Sequence, residues 1–350
     1  MTVDDQRAEQ QRAPVGRGTQ AARFFATVDS CATAGIGSLP HRNADDAAIF
    51  SLDAFDVLTL PSLPRRSPAE APVAQSLVGT PGVIFGQYGT LGIDVPALDP
   101  VAPVRTDLWS DTFVGFRTCL ELAADRGYAG PVKWQLVGPI SLGLSLRRAG
   151  AEPAVAFSIA CRVVRSHLVT LADAVADALP DAPQLVVIDE PFLQGLMSND
   201  FPVAPDEAID VLSSAMAAVE HRAAVGVHCC ADVDISTLIS AGPTLLSLPA
   251  TSALIPYAGA IDRFLAGGGW IMWGAVATEG PIGHTARRSA RRLEQFWSEL
   301  AGRGCDAARL RTQSLISSHC GLGGHSTSVA ERVCGTVREV ASAVAPRPLR

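Results

Sequence analysis

Several features are missing from this sequence, and each absence excludes something. No apolar run reaches the ~18 residues that would cross a bilayer, and the polar N-terminus lacks the apolar core of a secretory signal, so neither a membrane span nor export is expected. There is no block of basic residues and the net charge is -7, which argues against nucleic acid as the main partner. Cys31, Cys119, Cys161, Cys229, Cys230, Cys305, Cys320 and Cys334 are too few, over 350 residues, to form a disulfide framework. A reducing, cytoplasmic location is expected instead. No internal repeat is visible. No Gly-x-Gly-x-x-Gly follows the first strand-like run, which removes the usual support for a dinucleotide site.

What is present is a chain that is 48% hydrophobic, enough for the core of one barrel-sized domain. Residues 1 to 24 are rich in Gln, Arg and Ala without periodicity and read as a disordered tail, leaving one domain over residues 25 to 345. Eight short apolar runs follow: Cys31–Gly37, Phe55–Pro61, Val132–Val137, Gln184–Asp189, Ala224–Cys229, Thr244–Leu248, Gly269–Ala275 and Gln313–Ser318. Several are continuously apolar, as parallel strands buried on both faces must be. Helical periodicity over Thr106–Arg126, Ala154–Leu179, Pro205–Arg222 and Ala286–Arg303 separates them. Strands alternating with helices predict an α/β fold, a TIM (β/α)8 barrel, with an open doubly wound sheet as the second architecture. Leu63–Arg105 is long for a connection and contains a strand-like run, Val83–Tyr88, read as a hairpin over the barrel mouth.

Barrel enzymes place their chemistry at the C-terminal ends of the strands, and reactive residues gather there in this chain. The fifth run ends in His228-Cys229-Cys230 and the eighth in His319-Cys320-Gly321. Residues i and i+2 of a strand share a face, so His228 and Cys230 aim together while Cys229 aims away. Imidazole and thiolate on one face form a zinc half-site, which a third ligand, Cys320, completes as an open catalytic site. The competing reading is three buried cysteines and histidines that simply pack. Arg65 and Arg66 end the second run and suit a carboxylate or phosphate, or else form a solvated basic turn. Trp270 and Trp273 fit core packing better than a pocket wall. His319 should face away from Cys320 and be structural, whereas His41 and His284 lie in loops where a histidine could shuttle protons.

Five segments, Ile36-Gly37-Ser38-Leu39-Pro40, Gln135-Leu136-Val137-Gly138-Pro139, Asp189-Glu190-Pro191, His228-Cys229-Cys230 and Cys320-Gly321-Leu322, together resemble the catalytic domain of the cobalamin-independent methionine synthases. That domain belongs to the wider superfamily of uroporphyrinogen decarboxylase and the corrinoid:thiol methyltransferases. The resemblance implies a TIM barrel holding Zn2+ through His228, Cys230 and Cys320, a thiol bound to the zinc as thiolate, and attack of that sulfur on a methyl group. It implies that Ile36 and Ser38 hold the carboxylate of an amino-acid thiol and that Asp189 holds its amino group. The activity so implied is that of a zinc-dependent thiol S-methyltransferase in methionine biosynthesis.

Two departures modify that expectation. The family's zinc-binding glutamate beyond the sixth strand is missing, because Ser247-Leu248-Pro249-Ala250 stands there and no Asp or Glu occurs between Asp234 and Asp262. Three ligands then remain, as in the corrinoid:thiol methyltransferases. The second-strand glutamate that meets the homocysteine amine is replaced by Arg65-Arg66, which favours a related acidic thiol over homocysteine. The N-terminal half of the full-length synthases has no counterpart, so the methyl donor stays open between folate and a methyl-corrinoid protein. Two rival functions stand beside this one: a uroporphyrinogen-decarboxylase-like carboxy-lyase, and a non-catalytic zinc- or ligand-binding barrel that partners a corrinoid protein.

Overall fold

The structure is a computed structural model that describes residues 18–87, 89–198, 200–279 and 285–346. Among the described residues, ten strands occur in chain order: β1 (Ala32–Thr33), β2 (Leu58–Thr59), β3 (Val83–Phe85), β4 (Leu91–Ile93), β5 (Val132–Val137), β6 (Gln184–Asp189), β7 (Ala224–His228), β8 (Leu245–Pro249), β9 (Trp270–Val276) and β10 (Ser314–Ser318). Eight of them form one sheet in the order β1-β10-β9-β8-β7-β6-β5-β2. Every pairing in that sheet is parallel. Parallel bridges Ala34↔Val57 and Ser38↔Ser62 join the segments of β1 and β2 and close the ring. The result is the expected (β/α)8 barrel, with each of the eight apolar runs on one barrel strand.

Strand alternation sorts the side chains. Trp134, Val186, Val225, Leu246, Trp273 and Ile316 face the helices and join the large outer core. Leu185, Val187, Ala224, Leu245, Met272 and Leu315 fill the lumen. The lumen has a floor. Most of the expected tail lies outside the described residues, but from Gly18 the chain forms helix α1 (Gly18–Phe25). Its Ala21 and Phe24 join the lumen cluster, and Phe25 stacks on Trp270 with centroids 4.6 Å apart. Trp270 therefore sits at the floor, remote from the chemistry. Trp273 is fully buried, packs edge-on to Phe296 and Trp297 and donates its indole N–H to Ser314 Oγ.

The outer helices that matter here are α2 (Ala44–Ala54), α3 (Pro72–Leu77), α4 (Val114–Asp125), α5 (Pro139–Arg148), α6 (Pro153–Ala178), α7 (Pro205–Ala217) and α8 (Ile235–Ser240). They continue with α9 (Ala258–Ala266), α10 (Ala286–Gly302), α11 (Ala307–Thr312) and α12 (Thr327–Val344). One α6 face, including Ile159, Val163, Val164, Leu168 and Leu171, is buried in the barrel wall. By length and composition alone α6 could span a membrane, although no single run of its sequence is free of charge for that distance. The helix expected from Thr106 starts only at Val114, after a 3-10 turn over Asp111–Phe113. Asp107 accepts from Trp109 N–H and Ser110 Oγ donates to Asp107 O, local bonds that compete with the helical ladder. The run from Val83 does form a hairpin, β3 with β4, and β4 packs against α5; Tyr88 lies outside the described residues.

Candidate metal centre

His228 ends β7 in register with Asp189 on β6 and Ser247 on β8. Cys230 lies two residues further on, and Cys320 two residues past the end of β10. These two strand ends converge: one ligand atom from each of His228, Cys230 and Cys320 lies within 4.8 Å of the others. All eight cysteines are free thiols. Cys229 turns away as strand alternation requires. It is fully buried, and its Sγ faces Ala231 O.

His228 carries the strongest sign of what the cluster is for. Its Nδ1 lies 3.2 Å from Ser247 O and 2.9 Å from Ser247 Oγ. A carbonyl only accepts, so Nδ1 carries the proton and Nε2 presents a lone pair. Nε2 is buried, in a side chain 3% exposed, and has no hydrogen-bond partner. A buried acceptor without a donor is costly unless something else fills the role. A second-shell acceptor that fixes the imidazole tautomer is the usual support of a metal-bound histidine. The two thiols are polarised against each other. A hydrogen bond from Cys320 holds the Cys230 thiol below its ordinary range, while Cys320 itself is pushed well above it. One nitrogen and two sulfurs of this kind fit zinc with an open position.

Beside the cluster, Asp189 lies in the lumen with Oδ1 unpartnered. Burial pushes its carboxyl up, against the pull of His228 and Lys133. Lys133, on β5, is fully buried. It donates to Ile36 O at 2.5 Å and to Gln135 Oε1 at 3.0 Å, and burial lowers its ammonium to about 8. The strand-one segment is thereby tied down. Ser38 in turn accepts from Leu322 N–H at its carbonyl and from Gly323 N–H at its hydroxyl. At Gly321 a Cβ would overlap that hydroxyl. The Ile36–Ser38 turn and the loop after Cys320 are thus one packed unit. Arg65 completes it by donating to Gly323 O and Gly324 O.

Other expected residues stand apart from this unit. Arg66 is engaged by Glu70 at 2.5 Å and Asp111 at 2.8 Å, and Glu70 is itself fully buried, accepting from Leu63 and Gly115 N–H. The Arg66 guanidinium thus braces the loop after β2 through these two ion pairs. His41 is buried against Phe50, with Nδ1 unpartnered and its pKa lowered by burial. His284 lies outside the described residues. His319 is outside the ligand cluster but lines two cavities, so it is less internal than a purely structural residue.

Sequence reading missed Ser247, Lys133 and Glu190. Lys133 was detectable as a charge near the start of an otherwise largely apolar strand. Glu190 caps the N-terminus of α5, accepting from Ile140 N–H at 2.9 Å and Ser141 N–H at 2.7 Å. Burial still raises its carboxyl to about 7. Ser247 gave no signal, because only the fold sets it opposite His228.

No protein-family model matches the chain, and no curated protein is significantly similar to it. Among solved structures it is similar to a B12-independent methionine synthase from Shewanella sp. W3-18-1, in complex with selenomethionine, at 15% sequence identity and a TM-score of 0.59. The match covers 90% of this chain and 98% of that one. At this identity the likeness is one of fold, and the fold is a (β/α)8 barrel.

Proposed function

We propose that this protein is a zinc-dependent methyltransferase whose acceptor is a thiol, homocysteine or a related acidic thiol. The observation that carries the reading is the His228, Cys230 and Cys320 cluster, one ligand atom from each lying within 4.8 Å of the others, with the Nε2 of His228 buried and unpartnered. His228, Cys230 and Cys320 would hold the metal. Zinc in such a set supplies the Lewis acidity that makes a thiol a thiolate at neutral pH, where free thiols with pKa near 8.5 are mostly protonated.

The chain's own residues would do the rest. Ser247 keeps His228 in the tautomer that exposes Nε2. Asp189, whose Oδ1 is buried and unpartnered, would accept from the amino group of an amino-acid thiol. The Ser38 hydroxyl already accepts from Gly323 N–H, which leaves its proton to donate to a carboxylate. Ile36 shapes the same turn through its carbonyl, held by Lys133. Arg65, exposed at this rim, is the cation available to an additional acidic group, now that Arg66 is committed elsewhere. A cytoplasmic setting, where thiols stay reduced, suits this chemistry. A decarboxylase reading leaves the His-Cys-Cys cluster without a role.

The test is thiol methylation by zinc-loaded protein, with homocysteine and a panel of acidic thiols against several classes of methyl donor. Methylated thiol should form, and Cys230→Ser or Cys320→Ser should abolish it. Full metal loading with no methylation of any thiol would contradict the proposal.

A further inference from the structure

Lys133 is a cation in a lumen that is otherwise lined mostly by aliphatic side chains. It lies near the start of β5 and is fully buried. Trp134 beside it faces the helices, so Lys133 faces the lumen. Its register partner on β6 is Leu185, part of the lumen core. Burying an ammonium is costly unless it is paired. The two acceptors of Lys133, Ile36 O and Gln135 Oε1, are both neutral. Asp189 acts on it through charge alone, without a hydrogen bond. Burial lowers the ammonium to about 8, so it is charged at neutral pH.

The turn that Lys133 holds is short of partners on its own account. The N–H groups of Ile36, Gly37 and Ser38 donate no hydrogen bond among the described residues, although Ile36 and Gly37 are buried. Unpaired buried N–H groups are rare and costly. Successive ones form a seat for an anion. Gly37 takes φ 147°, and a Cβ there would fall on the Gln135 amide. Gln135 thus packs directly against the turn, with Nε2 donating to Leu60 O. The C=O and N–H of a planar trans peptide point in opposite directions. A cation on Ile36 O therefore leaves Gly37 N–H aimed away from the lysine and polarises it as a donor.

We infer that Lys133 is a positioning residue that makes the Ile36–Ser38 turn a carboxylate seat, so that the acceptor is a thiol bearing a carboxylate. This rests on the reading as a thiol methyltransferase and narrows its acceptor. The lysine acts through the Ile36–Gly37 peptide and needs no direct contact with the substrate. Its charge offsets that of the carboxylate in a site of low polarity, where the attraction is strong. A lysine that only braced the turn would serve every thiol equally. A charge that acts on the carboxylate separates thiols that carry one from thiols that do not.

Calorimetry on the full-length zinc-loaded protein at pH 7 tests this with two matched pairs of thiols. Homocysteine is set against 3-aminopropane-1-thiol, which keeps the thiol and amine and lacks the carboxylate. 3-Mercaptopropionate is set against its neutral amide. In at least one pair the natural protein should bind the carboxylate member more tightly, by roughly tenfold or more. Lys133→Met should weaken that member by roughly tenfold or more, the effect of removing a full charge from a buried site, and its partner by less than about twofold. Lys133→Gln keeps a donor for Ile36 O without the charge. It should give the same result, and it serves if the methionine variant does not fold. Zinc content should stay near one per chain in both variants. Equal losses for both members of a pair would make Lys133 purely structural and overturn the inference. A folded variant that keeps the natural preference would overturn it as well, and so would a natural protein that shows no preference. In each of these cases thiol methylation would stand. Failure of the natural protein to bind any of the four thiols would instead overturn the methyltransferase reading, and the inference with it.

Discussion

At the scale of single residues, the direction each side chain faces decides its role. Cys230 and Cys320 face His228, and Cys229 does not. Zinc content measured by metal analysis should therefore fall sharply in Cys230→Ser and Cys320→Ser and stay near one per chain in Cys229→Ser. Ser247→Ala removes the hydroxyl at 2.9 Å from His228 Nδ1 but leaves the carbonyl. Zinc affinity, measured by chelator competition, should drop by roughly tenfold, at the low end for a lost second-shell partner. His167 offers a pH test. It is buried, with Nδ1 2.6 Å from Thr106 Oγ1 and Nε2 3.1 Å from Ser76 O. Nε2–H must donate to the carbonyl, so Nδ1 accepts from the hydroxyl, and a second ring proton would break that bond. Burial accordingly lowers its pKa from 6.5 to about 4. The folded state prefers the neutral ring, so this stabilisation is complete above pH 6.5 and is lost as pH falls towards 4. The loss should approach about 1.4 kcal/mol per pH unit within that window. Denaturant melts from pH 7 to 4 should show a shallower decline for His167→Gln than for the natural chain.

At the scale of elements, helix starts and strand ends define the site. Asp-Glu-Pro and Gly-Pro were legible in the sequence only as two short motifs. In the structure they are one device: Glu190 caps α5 at the turn where Gly138 leaves its carboxylate room. A Cβ at Gly138 would overlap that carboxylate. Gly138→Ala should destabilise the fold by roughly 1–3 kcal/mol, the usual range for overpacking, with a lower Tm that replacing exposed Gly302 by Ala should not produce. The strands were legible because inward and outward faces are both apolar, which leaves long Val, Ile and Leu runs. The shared face of His228 and Cys230 was legible because i, i+2 alternation follows from the strand itself. The helix starts at Val114 rather than Thr106 because of local bonds around Asp107, whereas the pairing of Arg66 with Asp111 joins residues distant in sequence, and no local periodicity encodes such a contact.

At the scale of the whole molecule, one ring of eight parallel strands carries its chemistry at one end and a plug at the other. The floor is α1, whose sequence read as featureless because eight residues with two buried positions are too few for a periodic signal. Phe24 is fully buried among lumen side chains. Phe24→Ala should cost about 3–5 kcal/mol, the range for a buried phenylalanine, measured by denaturant unfolding, and should leave zinc content unchanged in protein that remains folded. The opposite end carries the central claim, that His228, Cys230 and Cys320 form one zinc site at which a substrate sulfur is bound. Zinc-edge X-ray absorption on the loaded protein, before and after addition of thiol, tests it most directly. The account expects one nitrogen and two sulfurs from the protein, and one further sulfur when homocysteine or an acidic thiol is added. A first shell without two protein sulfurs, or one that no thiol changes, would contradict it.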